Sequence, residues 1–297
     1  MVKPLEPFER GAVEANLFPL IRDFPRSNPD FPWHRNRDSA ITAQYPKSSQ
    51  ALALDVFETI KRAGSRNAIV DALLADLNLV GKGPWQIDPE LTVPKELLGE
   101  PRPTQVDVTA RGPKTLVLFE CKFTEAGGGC CSQTRPVSFG PHKGLIPCNE
   151  KYQLQQNPTD GSSARCALIT KGVKYWDFVA QVLDVDPSLD SDPCPFSGEN
   201  YQWMRNLVAA LALARASGLS PAFVLVYASG SLPMAKKIAK HALDPFTGLA
   251  EGKAVPMRVV TYQRLLTVAL AAADVGDRLI LEELQRWVLG KIAKVEL

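Results

Sequence analysis

Asp107, Glu120 and Lys122 are the residues in this chain whose types and spacing best suit chemistry. Asp107 lies in an alternating stretch, Gln105-Val106-Asp107-Val108-Thr109, of the kind a half-buried strand shows. Glu120 and Lys122 follow the apolar run Leu116-Val117-Leu118-Phe119 and stand two residues apart. Side chains alternate along a strand, so Glu120 and Lys122 share a face and Cys121 points the other way. A hairpin turning at Gly112 brings Asp107 beside Glu120. Two carboxylates and an ammonium then converge, the donor set for metal-assisted phosphodiester hydrolysis. Mg²⁺ takes one or two protein carboxylates and fills its remaining positions with water and phosphate. It acidifies a bound water, and a neighbouring lysine orients that water or offsets the charge growing on the phosphate. Carboxylates at the end of apolar strands cost desolvation, which points to use rather than decoration.

A Glu-x-Lys triplet alone says little. The chain has a second, Glu251-Gly252-Lys253, in a glycine-containing loop without an apolar strand before it. Strand context separates the two copies. The competing reading of the first is a solvated ion pair between Glu120 and Lys122 at a strand end.

The elements that must position the trio follow from periodicity. Residues 1–47 carry seven prolines and read as an irregular arm, with one short helix near Ala12–Ile21. Ser48-Ser49 caps a helix over Gln50–Arg62, and Gly64 closes it. A second helix is predicted over Arg66–Leu79. Strands are expected at 85–93, 105–109, 115–119, 222–227 and 257–260, the third and fourth as buried central strands. Further helices are predicted at 175–183, 201–216, 233–242, 261–273 and 277–295. Residues 125–200, rich in Gly, Cys, Pro and Asn, read as a long insertion. This order argues an α/β (α+β) three-layer core, a mixed central sheet flanked by helices, forming one domain over 48–297.

Asp107, a thirteen-residue step and Glu120-Cys121-Lys122 resemble the signature of the PD-(D/E)xK nuclease superfamily. Ser48-Ser49-Gln50-Ala51, Glu120 through Glu125, and Tyr201-Gln202-Trp203-Met204-Arg205-Asn206 are similar to its bacterial restriction-endonuclease-like branch. Val106 stands where the superfamily usually has a proline. The resemblance implies a restriction-endonuclease-like fold and a Mg²⁺- or Mn²⁺-dependent deoxyribonuclease, in restriction and defence or in DNA repair. Asp107 and Glu120 would ligate the metal, Lys122 would activate the water, and Glu58 would add a carboxylate. Gln50, Gln202, Arg205 and Asn206 would meet the substrate. Glu58 also reads as an ordinary i, i+4 partner of Arg62, and the Gln202 face as solvated. DNA is the implied partner, with a homodimer as the common assembly. The alternative is a non-catalytic nucleic-acid-binding or protein-interaction module on the same fold.

Composition bounds these readings. The chain has 297 residues, 45% apolar and 22% charged, so wholesale disorder is not expected. Lys and Arg number 34 against 32 Asp and Glu, a net charge of +2, which excludes a polycationic tail as the binding device. Without an apolar leader or a stretch long enough to span a bilayer, a cytoplasmic protein without membrane contact is expected. Six cysteines are too few for a disulfide scaffold. Cys130, Cys131, His142, Cys148 and Cys166 fall in the insertion and suit a structural Zn²⁺ or iron–sulfur site. Cys194 lies there too. No Cys-x-x-Cys pair supports such a site, and buried free thiols are the competing reading. His34 and His241 read as ordinary surface or core histidines. His34-Arg35-Asn36-Arg37 and Lys236, Lys237, Lys240 with His241 are candidate phosphate contacts or solvated faces. There is no HExxH, P-loop or GxSxG motif.

Overall fold

A computed structural model describes residues 4–296. Five strands make one mixed sheet: β1 (Gln86–Thr92), β2 (Gln105–Arg111), β3 (Thr115–Lys122), β4 (Ser220–Tyr227) and β5 (Met257–Thr261), in the order β1-β2-β3-β4-β5. The first three are antiparallel neighbours, while β3–β4 and β4–β5 are parallel. All eight residues of β3 are buried, as its apolar run requires of a central strand covered on both faces.

Alternation along β3 divides the core in two. Val117, Phe119 and Cys121 face one layer with Ala222, Val224 and Val226. Leu116 and Leu118 face the other with Phe223 and Leu225. The first layer holds α2 (Ser49–Arg62), α3 (Arg66–Asp76), α8 (Tyr262–Ala272) and α9 (Val275–Glu296), all at positions where helices were expected. Ser48 caps α2 as its type suggests, its hydroxyl accepting the Ala51 N–H at 3.2 Å. The second layer holds α4 (Trp176–Val182), α5 (Tyr201–Ser217), α6 (Pro233–Ala239) and α7 (Asp244–Ala250). The architecture is α+β, a five-stranded mixed sheet between helices, as in restriction-endonuclease-like cores.

The arm contains α1 (Pro7–Asn16), earlier than the predicted position because Pro7 starts the helix and Leu17 ends it in extended backbone. Val13, Leu17, Phe18, Ile21, Phe24, Phe31 and Trp33 pack into the same apolar cluster as α2. Buried Asp55 fastens the seam between the arm, α2 and α9. It accepts Phe18 N–H at 2.6 Å, Trp287 Nε1–H at 2.9 Å and Lys291 Nζ at 2.6 Å. The helix predicted over 233–242 stops at Ala239, and His241 takes a left-handed turn (φ 57°) before α7, which periodicity did not reveal. The inserted segment has little regular structure: a ribbon of Gln155–Gln156 with Ser163–Ala164, three-residue 3₁₀ turns at Ser132–Thr134 and Ile169–Lys171, and α4. Among the described residues no helix is long and apolar enough to cross a membrane.

Candidate active site

β2 and β3 pair as far as Val108 and Phe119. Beyond that pair the Asp107 carboxylate, rather than backbone, accepts the Cys121 N–H, at 2.7 Å. The ladder therefore ends where a side chain replaces a strand partner, and Asp107 and Glu120 flank the opening. On the far side, β1 pairs with β2 at Pro89–Val108 and Leu91–Val106, which sets Glu90 level with Asp107. Glu90, Asp107 and Glu120 thus stand in a row across three neighbouring strands. Glu90 was not anticipated: it holds left-handed backbone (φ 54°), and nothing in its sequence neighbourhood forms a motif.

Glu120 and Lys122 share the α5 face, and both are buried. Lys122 Nζ lies 2.7 Å from Glu120 Oε1, donates to Gln202 Oε1 at 2.9 Å and sits 5.4 Å from the Trp203 ring centre. Asn206 donates to Glu120 Oε2 at 2.6 Å, and Gln202 Nε2 donates to Oε1. The pair is not the solvated ion pair weighed for this triplet. It is an ion pair 1–6% exposed, braced by two amides spaced i, i+4 on one helix. The chain leaving β3 presses against the start of that helix. Gly128 accepts Gln202 N–H at 2.8 Å, and a Cβ on Gly128 would lie 2.6 Å from the Trp203 ring, so only glycine fits.

The field at the row is strongly negative. Burial, then the charges of Glu120 and Glu90, push the Asp107 carboxyl well above the usual carboxylate range against the pull of Lys122 and the Cys121 N–H. Burial disfavours a charged Lys122, but Glu120 and Asp107 outweigh it and raise its pKa, so it is an ammonium.

Gln50, on the first turn of α2, makes three hydrogen bonds. Its oxygen accepts His34 N–H at 3.0 Å, and its nitrogen donates to Pro32 O at 3.2 Å and Glu90 Oε1 at 2.7 Å. It braces the arm against β1 and also lines an open pocket with His34, Ser49 and Glu125. His34, carried there by the arm, sets Nε2 3.3 Å from Glu90 Oε2. Burial opposes its charge, yet Glu90, with Asp107 and Glu120 beyond it, raises its pKa. It therefore stands beside the carboxylate row, where sequence offered a surface or core histidine or a phosphate contact.

Glu58 makes its ion pairs within α2. Its Oε1 accepts Arg62 Nε at 3.1 Å and its Oε2 lies 3.6 Å from Lys61, the helical pairing already weighed for it. Arg205 stacks on Tyr201 at 5.8 Å. With Gln202 it lines a cleft of about 820 Å³ whose walls also carry Arg102, Arg135 and Lys171. The predicted basic stretches are partly spent on neighbours: Lys237 pairs with Glu199, His241 with Asp244, and Arg35 with Glu9. Of the cysteines and histidine proposed as a structural metal site, Cys131, Cys148 and Cys166 line one cavity together with Cys194. Cys130 and His142 are exposed and line no part of it.

Among the described residues no three His, Cys, Asp or Glu side chains are arranged to hold a single metal ion. The row still fits a hard cation. Its donors are carboxylate oxygens from neighbouring strands, and two carboxylates are what Mg²⁺ commonly takes from protein.

No curated protein and no solved structure shows a significant match to the chain. Over residues 9–286, from the first helix to the last, the sequence matches a family described as restriction endonuclease associating with ARP. That match covers the five-stranded sheet, the carboxylate row and the helix that braces it, and the chain belongs to this restriction-endonuclease-like family.

Proposed function

We propose that the chain is a deoxyribonuclease of the PD-(D/E)xK type that hydrolyses phosphodiester bonds with Mg²⁺ or Mn²⁺. The observation that carries this reading is the buried Glu120–Lys122 pair beside Asp107 at the point where β2 and β3 stop pairing. Asp107 and Glu120 would hold the metal, with Glu90 adding charge behind them. When bound, the metal supplies an acidified water and neutralises charge on the phosphate.

The protein's own groups do the rest. Lys122, fixed by Gln202 and held over Trp203, presents an ammonium that orients the attacking water or offsets charge on the scissile phosphate. Gln202 and Asn206 hold both oxygens of Glu120, fixing the carboxylate before substrate arrives. Arg205, Arg102, Arg135 and Lys171 line a cleft that Gln202 also lines and that suits a nucleic-acid backbone.

Supercoiled plasmid incubated with purified protein tests the reading. Nicking or linearisation with Mg²⁺ or Mn²⁺ and none with EDTA is the expected result. Intact plasmid with every metal, alongside salt-sensitive DNA binding, would assign a non-catalytic binding module instead.

Glu90 gives a separate prediction. Glu90→Gln keeps the reach to Gln50 and His34 but removes one charge beside Asp107. Mn²⁺ affinity, followed by electron paramagnetic resonance, should weaken by at least about tenfold, the usual cost of losing an outer partner of a metal site. Unchanged affinity would remove Glu90 from the site.

A further inference from the structure

The insertion between β3 and α5 has too little regular structure to hold itself together. It nevertheless gathers four of its cysteines, from four separate loops, around one small cavity. Cys131, Cys148, Cys166 and Cys194 line about 30 Å³ of space with apolar neighbours that include Trp176, Phe196 and Met204. No two of these cysteines are joined by a disulfide.

The backbone around them repeats one device. The Gln133 amide lies by the Cys131 sulfur, that of Leu168 by Cys166 and that of Phe196 by Cys194, while Ile169 and Ser197 N–H go to the Cys166 and Cys194 carbonyls at 3.0 and 2.8 Å. In each case the amide two residues after the cysteine donates. A neutral thiol is a weak acceptor and makes poor use of such donors, whereas a thiolate gains a charge-assisted bond from each. Three loops built this way are prepared for thiolates, and thiolates in a buried apolar pocket need a metal to neutralise them.

The metal's nature follows from the space. Thiolate sets select Zn²⁺ or iron–sulfur clusters. A single ion draws its four sulfurs onto one point, and among the described residues no three such side chains are so arranged. Here the four cysteines surround a cavity instead of meeting at a point. We propose that Cys131, Cys148, Cys166 and Cys194 hold a [4Fe–4S] cluster. Loading exchanges four S–H protons for four Fe–S bonds and leaves the oxidation state of the protein sulfur unchanged. Uptake is therefore coupled to proton release.

The position gives the cluster a structural task. Tyr201 and Met204 line its cavity, while Gln202 and Asn206 on the same first turns of α5 hold Glu120. The site would pin the insertion to the helix that braces the carboxylate row.

The test is metal and sulfide analysis of protein purified without oxygen from iron-supplied cells. About four iron and four acid-labile sulfide per chain, with a broad visible absorption band, are expected. Cys166→Ala and Cys194→Ala should lose both, while Cys130→Ser, outside the cavity, should keep them. One zinc per chain without iron would overturn the cluster, and so would metal-free protein with four titratable thiols. Because wild-type protein decides the matter, a variant that fails to fold leaves the proposal testable. Its outcome is independent of whether the chain cleaves DNA.

Discussion

Lys122→Met is expected to slow Mg²⁺-dependent DNA cleavage by about a hundred- to a thousandfold, the usual cost of removing one preorganised charge from a reacting centre. The substitution is a clean probe because methionine fills the slot over Trp203, and Glu120 retains Gln202 and Asn206 as donors. Lys122→Arg should not restore the rate, since a planar guanidinium does not fit where a compact ammonium meets Glu120 and Gln202 together. The companion change is Asp107→Asn. It keeps an oxygen to accept the Cys121 N–H, so the opening between β2 and β3 is preserved while the charge is lost. A comparable loss is expected. Initial rates of plasmid nicking, with thermal melts as a control for folding, measure both. Cleavage within a few-fold of wild type by either variant would refute the assigned roles.

The second large effect concerns stability. Lys291→Met should destabilise the fold by about 3–5 kcal/mol, because it strands a carboxylate in the interior. Asp55 is 0% exposed and Lys291 5%. The same ammonium also donates to Asn16 O at 2.6 Å, so the arm loses a tie as well. Burial already raises the Asp55 pKa, with Lys291 as the chief opposing influence. Without the lysine that pKa rises further. A folded-state pKa above the unfolded value confers stability that is complete in acid and is lost as pH rises through it. The deficit of the variant should therefore be small in acid and grow towards neutral pH. Asp55→Asn combined with Lys291→Met should recover part of the loss, since an amide still accepts Phe18 N–H without a charge to bury. Urea unfolding over a range of pH measures all three proteins. A loss under about 1 kcal/mol at neutral pH would show that the pair does not hold the seam.

The sequence announced the parts whose signals are local. The Ser48 cap, the apolar run of β3 and the Glu120–Lys122 spacing each depend on neighbours a few residues away, and each took its expected form. Gln202 and Asn206 were identified as a pair on one helix face, although their partner proved to be Glu120. What escaped notice depends on strand register and on distant loops. Glu90 enters the site only because Pro89 and Leu91 pair with Val108 and Val106. His34 comes beside the row because Gln50 clamps the arm. Cys194 joins Cys131, Cys148 and Cys166 without any short spacing among them, while adjacent Cys130 points to solvent. Glu58 takes the helical pairing with Arg62 that its spacing suggested, with Lys61 beside it.

The seam at Asp55 has a kinetic consequence. Its partners lie near both extremes of the sequence, with Phe18 on one side and Trp287 and Lys291 on the other. Closing a contact across almost the whole chain costs loop entropy before any reward arrives, which makes it a late event. Until then Leu17, Phe18 and Ile21 have α2 to meet but lack the cover of α9, and sticky intermediates of this kind associate with one another. Refolding yield at rising protein concentration, more than the midpoint of unfolding, is where damage to this seam will first show.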